Sequence, residues 1–140
     1  MLEKLFLLGF LGAAIALVFA VLQRSTVMKH SEGNDKMVEI AQAIRDGANA
    51  YLKHQYMTVA KVFAVVFVIL LIMAFAGMLS MFTPFAFLTG GIFSMLAGFI
   101  GMKIATNSNA RTAWAASESL NKGLRVAFAS GSVMGFTVVG

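Results

Sequence analysis

Apolar and polar residues follow one another along this chain in long blocks. Four apolar runs stand out, at residues 5–22, 62–82, 85–102 and 126–140, and the first three contain no charged residue. A helix rises about 1.5 Å per residue, so roughly 20 residues cross a hydrocarbon core of about 30 Å. The pattern therefore predicts an all-α polytopic membrane protein with four transmembrane helices.

The fourth run is shorter than a full span. Only fifteen residues follow Arg125, and the sequence reaches Gly140 without a polar flank. A spanning helix needs about 17–25 residues, so the last helix is either re-entrant or truncated. We favour truncation, and we expect residues 1–140 to form the N-terminal part of a single multi-helix membrane domain.

Composition supports a membrane protein. Hydrophobic residues make up 59% of the chain and charged residues 12%, against roughly 45–50% and about 25% in soluble domains. The nearly neutral start at Glu3 and Lys4 and the length of the first run favour a retained helix over a cleaved signal peptide. Cysteine is absent, so no disulfide framework or thiolate metal site is predicted.

The charged residues indicate how the chain is oriented. Fifteen of the seventeen lie in two polar segments, 24–61 and 103–125, and these segments hold ten of the eleven basic residues. Only Lys4 lies beyond them. The positive-inside rule therefore places residues 23–61 and 103–125 in the cytoplasm and Met1 outside. The net charge of +5 is explained by this topology and by contact with anionic headgroups. No nucleic-acid-binding motif is present.

The first polar segment carries a helical pattern of its own. Asp35 is a plausible N-cap, Gly47 is the expected place for a bend, and no proline separates this pattern from the second apolar run. We predict a cytoplasmic amphipathic helix that continues into the second span. By contrast, Pro84 is expected to stop a helix in the uncharged connection at residues 81–84. The apolar positions of the amphipathic helix are Met37, Ile40, Ala41, Ile44, Ala48, Tyr51 and Leu52.

Candidate metal ligands in this segment are few and dispersed. Glu39 and Asp46 share a face with Asp35 but stand seven residues apart, about 10 Å along a helix. That separation is too long for one cation bound by oxygens at about 2.0–2.6 Å. His30 and His54 lack a second ligand at helical spacing. We interpret all five as solvated positions and predict no catalytic, cofactor-binding or metal-binding residue in this chain.

The second polar segment contains small polar side chains at a membrane exit. Residues 103–116 fit either a substrate loop or the cytoplasmic end of a long helix, and we favour the helix. Lys103 and Arg111 would then lie near lipid headgroups, with Trp114 as an interfacial anchor. Glu118 is the sole carboxylate after Asp46, too few for a cluster that binds several metals. The sequence shows no paired nucleophile and base and no phosphate-binding loop.

Two groups of residues resemble the membrane-bound, ion-pumping inorganic pyrophosphatases. They match in order and spacing over nearly the whole chain from Lys36, with Trp114 and Ser130 as departures where a smaller or polar residue and a glycine are expected. The first group resembles that family's first cytoplasmic loop: Lys36, Met37, Ile40, Ala41, Ile44, Gly47, Ala48, Ala50, Leu52, Gln55 and Tyr56. The second resembles its third and fourth helices: Ser94, Ala97, Gly98, Gly101, Met102, Ala105, Asn109, Arg111, Thr112, Ala113, Ala115, Ala116, Ala127, Phe128, Gly131, Val133, Met134 and Gly135.

The resemblance implies a homodimeric pump with sixteen helices per subunit, embedded in the cell membrane. Such a pump couples hydrolysis of magnesium pyrophosphate to outward transport of protons or sodium ions. The resemblance leaves open both the transported ion and any dependence on K+. The ligands for Mg2+ would belong to central helices outside this chain, and these four helices would form outer scaffold. The alternative is a small four-helix membrane scaffold or transporter subunit without hydrolase activity.

Overall fold

The computed structural model describes the backbone of residues 2–140 and the side chains of residues 7–140. The regular secondary structure of the described residues consists of four α-helices and no strand, which confirms the predicted all-α class. The helices are α1 (Leu2–Met28), α2 (Asp35–Phe75), α3 (Phe82–Glu118) and α4 (Leu120–Val139). The side chain of Lys4, predicted to lie outside, is not among those described.

Three of the described helices are long and apolar enough to cross a membrane. They comprise Leu7–Met28 of α1 together with the whole of α2 and α3. The 41 residues of α2 form one continuous helix, which confirms that the amphipathic segment continues into the second apolar run. The α4 helix has 20 residues and begins at Leu120, before its apolar run. Its role as a fourth span stays a prediction.

Two expectations about helix ends are wrong. Asn34, not Asp35, caps α2, because its side-chain Oδ1 accepts the backbone N–H of Met37 at 3.0 Å. Pro84 does not stop a helix, since it is buried in the first turn of α3. The first four N–H groups of a helix lack intrahelical partners, so proline removes no hydrogen bond there.

The chain divides into two compact units. Unit 1 comprises the described residues up to Ala48 together with Ala97–Gly140, and α1 packs along α4 within it. A small apolar core forms between α1, α3 and α4. It is flanked by an edge-to-face contact of the Phe19 and Phe136 rings, whose centroids lie 4.7 Å apart. The buried core side chains are Ala20, Val27, Ile104, Ala115, Val126 and Val133.

Unit 2 is a helical hairpin that spans Asn49–Leu96. Its turn starts at Gly77, whose φ of 74° is left-handed, and the N–H of Met78 donates to the carbonyl of Met73 at 3.0 Å. This is a Schellman ending, which glycine adopts without a steric penalty. Phe63 and Phe87 stack across the hairpin with ring centroids 4.8 Å apart.

Candidate functional site

The six-residue connection between α1 and α2 is tightly folded. The backbone N–H of His30 donates to the carbonyl of Val27 at 3.1 Å, and the N–H of Gly33 donates to Ser31 Oγ at 3.1 Å. Gly33 has a φ of 101°, and a Cβ placed there would come within 3.0 Å of the Trp114 ring. Glycine is therefore required both by the backbone conformation and by the close approach of the ring. This geometry fixes the position of Glu32.

Glu32 lies between two arginines that come from different helices. Its Oε1 is 2.7 Å from Nη1 of Arg45 on α2 and 2.7 Å from Nη1 of Arg111 on α3. The side chains of Glu32, Arg45 and Arg111 are only 15%, 19% and 13% exposed. We call these three residues the Glu32 cluster. Removing one partner of an ion pair this shielded from water costs more than breaking a surface pair, because the remaining charge is left uncompensated.

The arginines lower the pKa of the Glu32 carboxyl below its ordinary value of 4.5. The largest cause is the hydrogen bond from Arg45, and the charge of Arg111 acts in the same direction, while partial burial opposes both. A lowered pKa means that folding stabilises the ionised carboxylate. Glu32 therefore acts as a permanent anion near neutral pH and is unsuited to exchanging protons there.

Arg111 also connects the α1–α2 loop to the backbone of α3. Its Nε donates to the carbonyl of His30 at 3.0 Å, and its Nη1 donates to the carbonyl of Asn107. The planar guanidinium has five N–H donors in a fixed geometry, so it can satisfy several acceptors at once. Arg111 thus contacts three different residues, His30, Asn107 and Glu32, which lie in the α1–α2 loop and on α3.

A pocket of about 460 Å³ opens beside the Glu32 cluster. Trp114 and Ala115 of α3 form part of its wall, and Lys122 and Arg125 of α4 line it from the other side. Lys122 is partly neutralised, since its Nζ lies 2.7 Å from Glu118 Oε2. The lining therefore combines an apolar wall with Arg111, Lys122 and Arg125, and it also contains Glu118. Arg111 and Lys122 are paired with Glu32 and Glu118, respectively.

The residues that the sequence analysis considered as ligands do not converge. Asp35, Glu39, His30 and His54 are all exposed. Asp46 is exposed as well, and its Oδ1 accepts a hydrogen bond from Gln42 Nε2 at 2.9 Å. Their interpretation as solvated positions agrees with this exposure.

The described side chains also fail a fit test for magnesium. Among residues 7–140 there is no group of three or more His, Cys, Asp or Glu side chains that could hold a metal ion. The most enclosed carboxylate, Glu32, already accepts hydrogen bonds from two arginines. The donor set in this part of the chain does not match a hard cation, which requires several convergent oxygen ligands.

The second polar segment is helical. The α3 helix continues through it to Glu118, and Ser119 alone separates α3 from α4. The Ser119 side chain caps α4 by accepting the backbone N–H of Lys122 at 3.2 Å. Of the two interpretations left open for residues 103–116, the structure favours the helix end over a substrate loop.

The two departures from the family pattern both make contacts in unit 1. The Trp114 ring lies against Gly33, as described above. Ser130 on α4 and Ser108 on α3 share a buried hydrogen bond, with their Oγ atoms 2.6 Å apart. A buried hydroxyl needs a partner to offset its lost hydration, and Ser108 supplies one.

Sequence reasoning missed the Glu32 cluster. Glu32 was unremarkable in the sequence, and Arg111 is distant from it along the chain. The nearest available signal was the local pairing of Glu32 with Arg45, although that spacing does not place both on one helix. Only tertiary packing brings the two charged segments together.

Comparisons with known proteins identify the family of this chain. Residues 14–140 match the family described as inorganic H+ pyrophosphatase, so the chain belongs to that family. A relative from Bacteroides thetaiotaomicron, named as a putative K(+)-stimulated pyrophosphate-energized sodium pump, is 50% identical over 137 residues. A K(+)-insensitive pyrophosphate-energized proton pump from Methanosarcina mazei is 39% identical over 138 residues.

These alignments cover most of this chain but a small part of each relative. They include 97% and 99% of the chain, and only 19% and 20% of the Bacteroides and Methanosarcina proteins. A third relative, from Clostridium tetani and named as a putative K(+)-stimulated sodium pump, is 44% identical over 95% of this chain and 19% of its own length. The chain thus spans about a fifth of the relatives it matches.

Proposed function

We propose that the full-length gene product is a pyrophosphate-energised pump that transports protons or sodium ions out of the cytoplasm. The family match over residues 14–140 carries this proposal. The relatives' names include both sodium and proton pumps. We therefore propose that the transported ion is either Na+ or H+ and do not choose between them. The names also include K(+)-stimulated and K(+)-insensitive proteins, which makes K+ dependence a property to be measured.

Within such a pump, α1 to α4 serve as outer scaffold, and the catalytic and magnesium-binding groups belong to other helices. The pairing of the enclosed charged side chains with one another supports this scaffold role. Glu32 and Arg111, the most enclosed acidic and basic side chains among those in described ion pairs, neutralise each other. A site for magnesium pyrophosphate instead needs convergent carboxylates whose oxygens are free to coordinate metal.

Both polar segments face the cytoplasm in this proposal, and the N-terminus lies outside. The Glu32–Arg111 pair supports a common side for the two segments. Glu32 belongs to the first and Arg111 to the second, and the 2.7 Å between their side chains favours placing both segments on one side of the membrane. The positive-inside rule then selects the cytoplasm. The assembled pump would be a homodimer in the cell membrane.

Inverted membrane vesicles from cells that express the full-length gene test the function. We expect pyrophosphate hydrolysis that requires Mg2+, together with pyrophosphate-dependent accumulation of either sodium or protons. Vesicles from cells with an empty vector are the matched control, and assays with and without K+ define the subtype. If pyrophosphate is not hydrolysed although the protein is present in the membrane, the pump proposal fails and the non-hydrolytic scaffold alternative replaces it.

A further inference from the structure

Unit 1 contains a groove that is apolar at one end and positively charged at the other. It has a volume of about 610 Å³ and lies between α1 and α3, with Val133 and Thr137 of α4 at its base. Ligand pockets in proteins typically have volumes of about 300–1,000 Å³. The apolar end includes Leu17 and Ile100, and the charged end includes Arg24 and Lys103.

The order of residues along both helices places the cations at the same end. Arg24 follows Leu17 by seven residues on α1, which is about 10 Å of helix rise. Lys103 follows Phe99 by one helical turn on α3, and its Nζ lies 5.6 Å from the centroid of the Phe99 ring. That cation–π contact holds the ammonium group at the groove.

The groove has little polar surface apart from this charged end. The Thr137 hydroxyl already donates to the carbonyl of Val133 at 2.7 Å, so it presents no unsatisfied donor deep in the groove. At the charged end, Asn107 donates its Nδ2 to the carbonyl of Lys103 at 2.7 Å, which leaves its side-chain oxygen as a further polar group. A ligand that fits must therefore have a long apolar part and an anionic head.

We propose that this groove binds an anionic phospholipid of the cytoplasmic leaflet, with an acyl chain along Leu17, Val21 and Ile100 and the headgroup phosphate between Arg24 and Lys103. Charge complementarity selects this occupant, because basic pockets between transmembrane helices on the cytoplasmic side bind anionic headgroups. The inference rests on the proposed orientation, in which this end of α1 and α3 faces the cytoplasm.

The test uses the full-length protein, purified in detergent and mixed with equal amounts of phosphatidylglycerol and phosphatidylcholine. Retained lipid is measured by native mass spectrometry for the wild type and for the double variant Arg24→Gln/Lys103→Gln. Because the variant removes two cations from beside the phosphate, its affinity for phosphatidylglycerol should be about ten- to thirtyfold lower than that of the wild type. The matched control, Lys29→Gln/Lys36→Gln, removes two exposed charges from the first polar segment, which also contains Arg24, and neither residue lines the groove.

Two further variants separate the headgroup contact from the groove itself. Arg24→Lys/Lys103→Arg keeps both charges and should retain phosphatidylglycerol. Val21→Trp fills the groove from an exposed position without changing charge and should release the lipid. Equal phosphatidylglycerol retention by the wild type and the glutamine double variant overturns the proposal. That result is also expected if another helix of the full-length protein covers the groove and excludes lipid from it.

Pyrophosphate hydrolysis is measured on the same samples, so the two proposals fail separately. Loss of selective lipid retention in the glutamine variant alongside intact hydrolysis supports the lipid site within a working pump. Selective retention without any hydrolysis supports the site and rejects the pump. Hydrolysis without selective retention in the wild type rejects the site alone.

Discussion

Unit 1 and unit 2 are built from the same kinds of helix but are stabilised differently. Unit 1 combines a small apolar core of alanine, valine and isoleucine side chains with the Glu32 cluster and the buried Ser108–Ser130 pair. Unit 2 depends on stacked phenylalanine rings and one hydrogen bond in which the Tyr56 hydroxyl donates to the carbonyl of Met95 at 2.8 Å.

The two units are stabilised differently because unit 2 is mostly apolar, whereas unit 1 includes helix ends that carry charged side chains. Lipid offers little hydrophobic drive for helix association, so packing and interhelical hydrogen bonds decide which faces meet. Unit 2 is apolar along most of its length, and the stacking of its phenylalanine rings determines which helix faces meet. Unit 1 contains the ends of α1 and α3 and the start of α2, where charged side chains can pair. Its stability should therefore respond to charge, and that of unit 2 to shape.

The largest effect is expected from Arg111→Met, which removes the contacts to Glu32, His30 and Asn107 while keeping an apolar stem. It should lower the free energy of unfolding by about 2–3 kcal/mol, the cost of losing enclosed charge-assisted hydrogen bonds. The measurement is unfolding of the purified protein by SDS titration in mixed micelles.

Lys122→Met is the matched control for that variant. It breaks the Glu118–Lys122 pair, whose side chains are 47% and 63% exposed, and should cost less than about 0.5 kcal/mol. Equal losses in the two variants would show that the Glu32 cluster has no special role in unit 1.

The next largest effect is expected at Gly123 on α4. A Cβ there would lie 2.6 Å from Ala116 Cβ and 2.9 Å from Ala116 Cα. These atoms cannot relieve the clash by a rotamer change, because they belong to the backbone or are attached directly to it. Gly123→Ala should destabilise by about 1–2 kcal/mol net, since overpacking outweighs the gain in helix propensity. Gly131→Ala, which has nothing within 4 Å of the added Cβ, should be neutral or stabilising. The same SDS titration compares them, and a stable Gly123→Ala protein would refute the close approach.

A smaller effect is expected at Gly91 in unit 2, where the obstacle is a ring. An added Cβ would overlap the Phe63 side chain, yet the ring can rotate at the expense of its stacking on Phe87. Gly91→Ala should therefore cost only about 1 kcal/mol, close to the value of one aromatic pair. The adjacent Gly90, with nothing within 4 Å, provides the control Gly90→Ala. If Gly91→Ala destabilises more than Gly123→Ala, the Phe63 ring does not rotate away as expected here.

The smallest effect is expected from pH. Because folding lowers the pKa of Glu32 below 4.5, its contribution to stability is present above pH 4.5 and is lost as the pH falls through the folded-state pKa. Thermal unfolding followed from pH 6 downward should show this loss in the wild type. Glu32→Gln should remove that part of the acid dependence, and identical pH profiles for the two proteins would contradict the assignment.

Much of the helical architecture could be predicted from the sequence, because length and apolar content directly determine a membrane span. The single long α2 followed from the absence of a proline between its polar and apolar halves. The expected role of Pro84 was wrong because proline stops a helix only when it is not in the first turn. Asn34 was overlooked as the cap because several cap-forming residues precede α2.

The Glu32 cluster could not be predicted, since its partners are brought together by packing rather than by spacing. The same holds for Ser108 and Ser130, which are ordinary small polar residues until α3 and α4 pack side by side. Local patterns determined the elements, whereas contacts between distant segments determined which charges are paired with one another.

The most direct test of the scaffold role is the KM for magnesium pyrophosphate of the full-length Arg111→Met protein. A scaffold role predicts an unchanged KM in the protein that folds, together with lower stability and lower yield. The Lys122→Met protein, which keeps the Glu32 cluster, is the control. A raised KM at unchanged stability would contradict the scaffold role, because it would place the Glu32 cluster at the substrate.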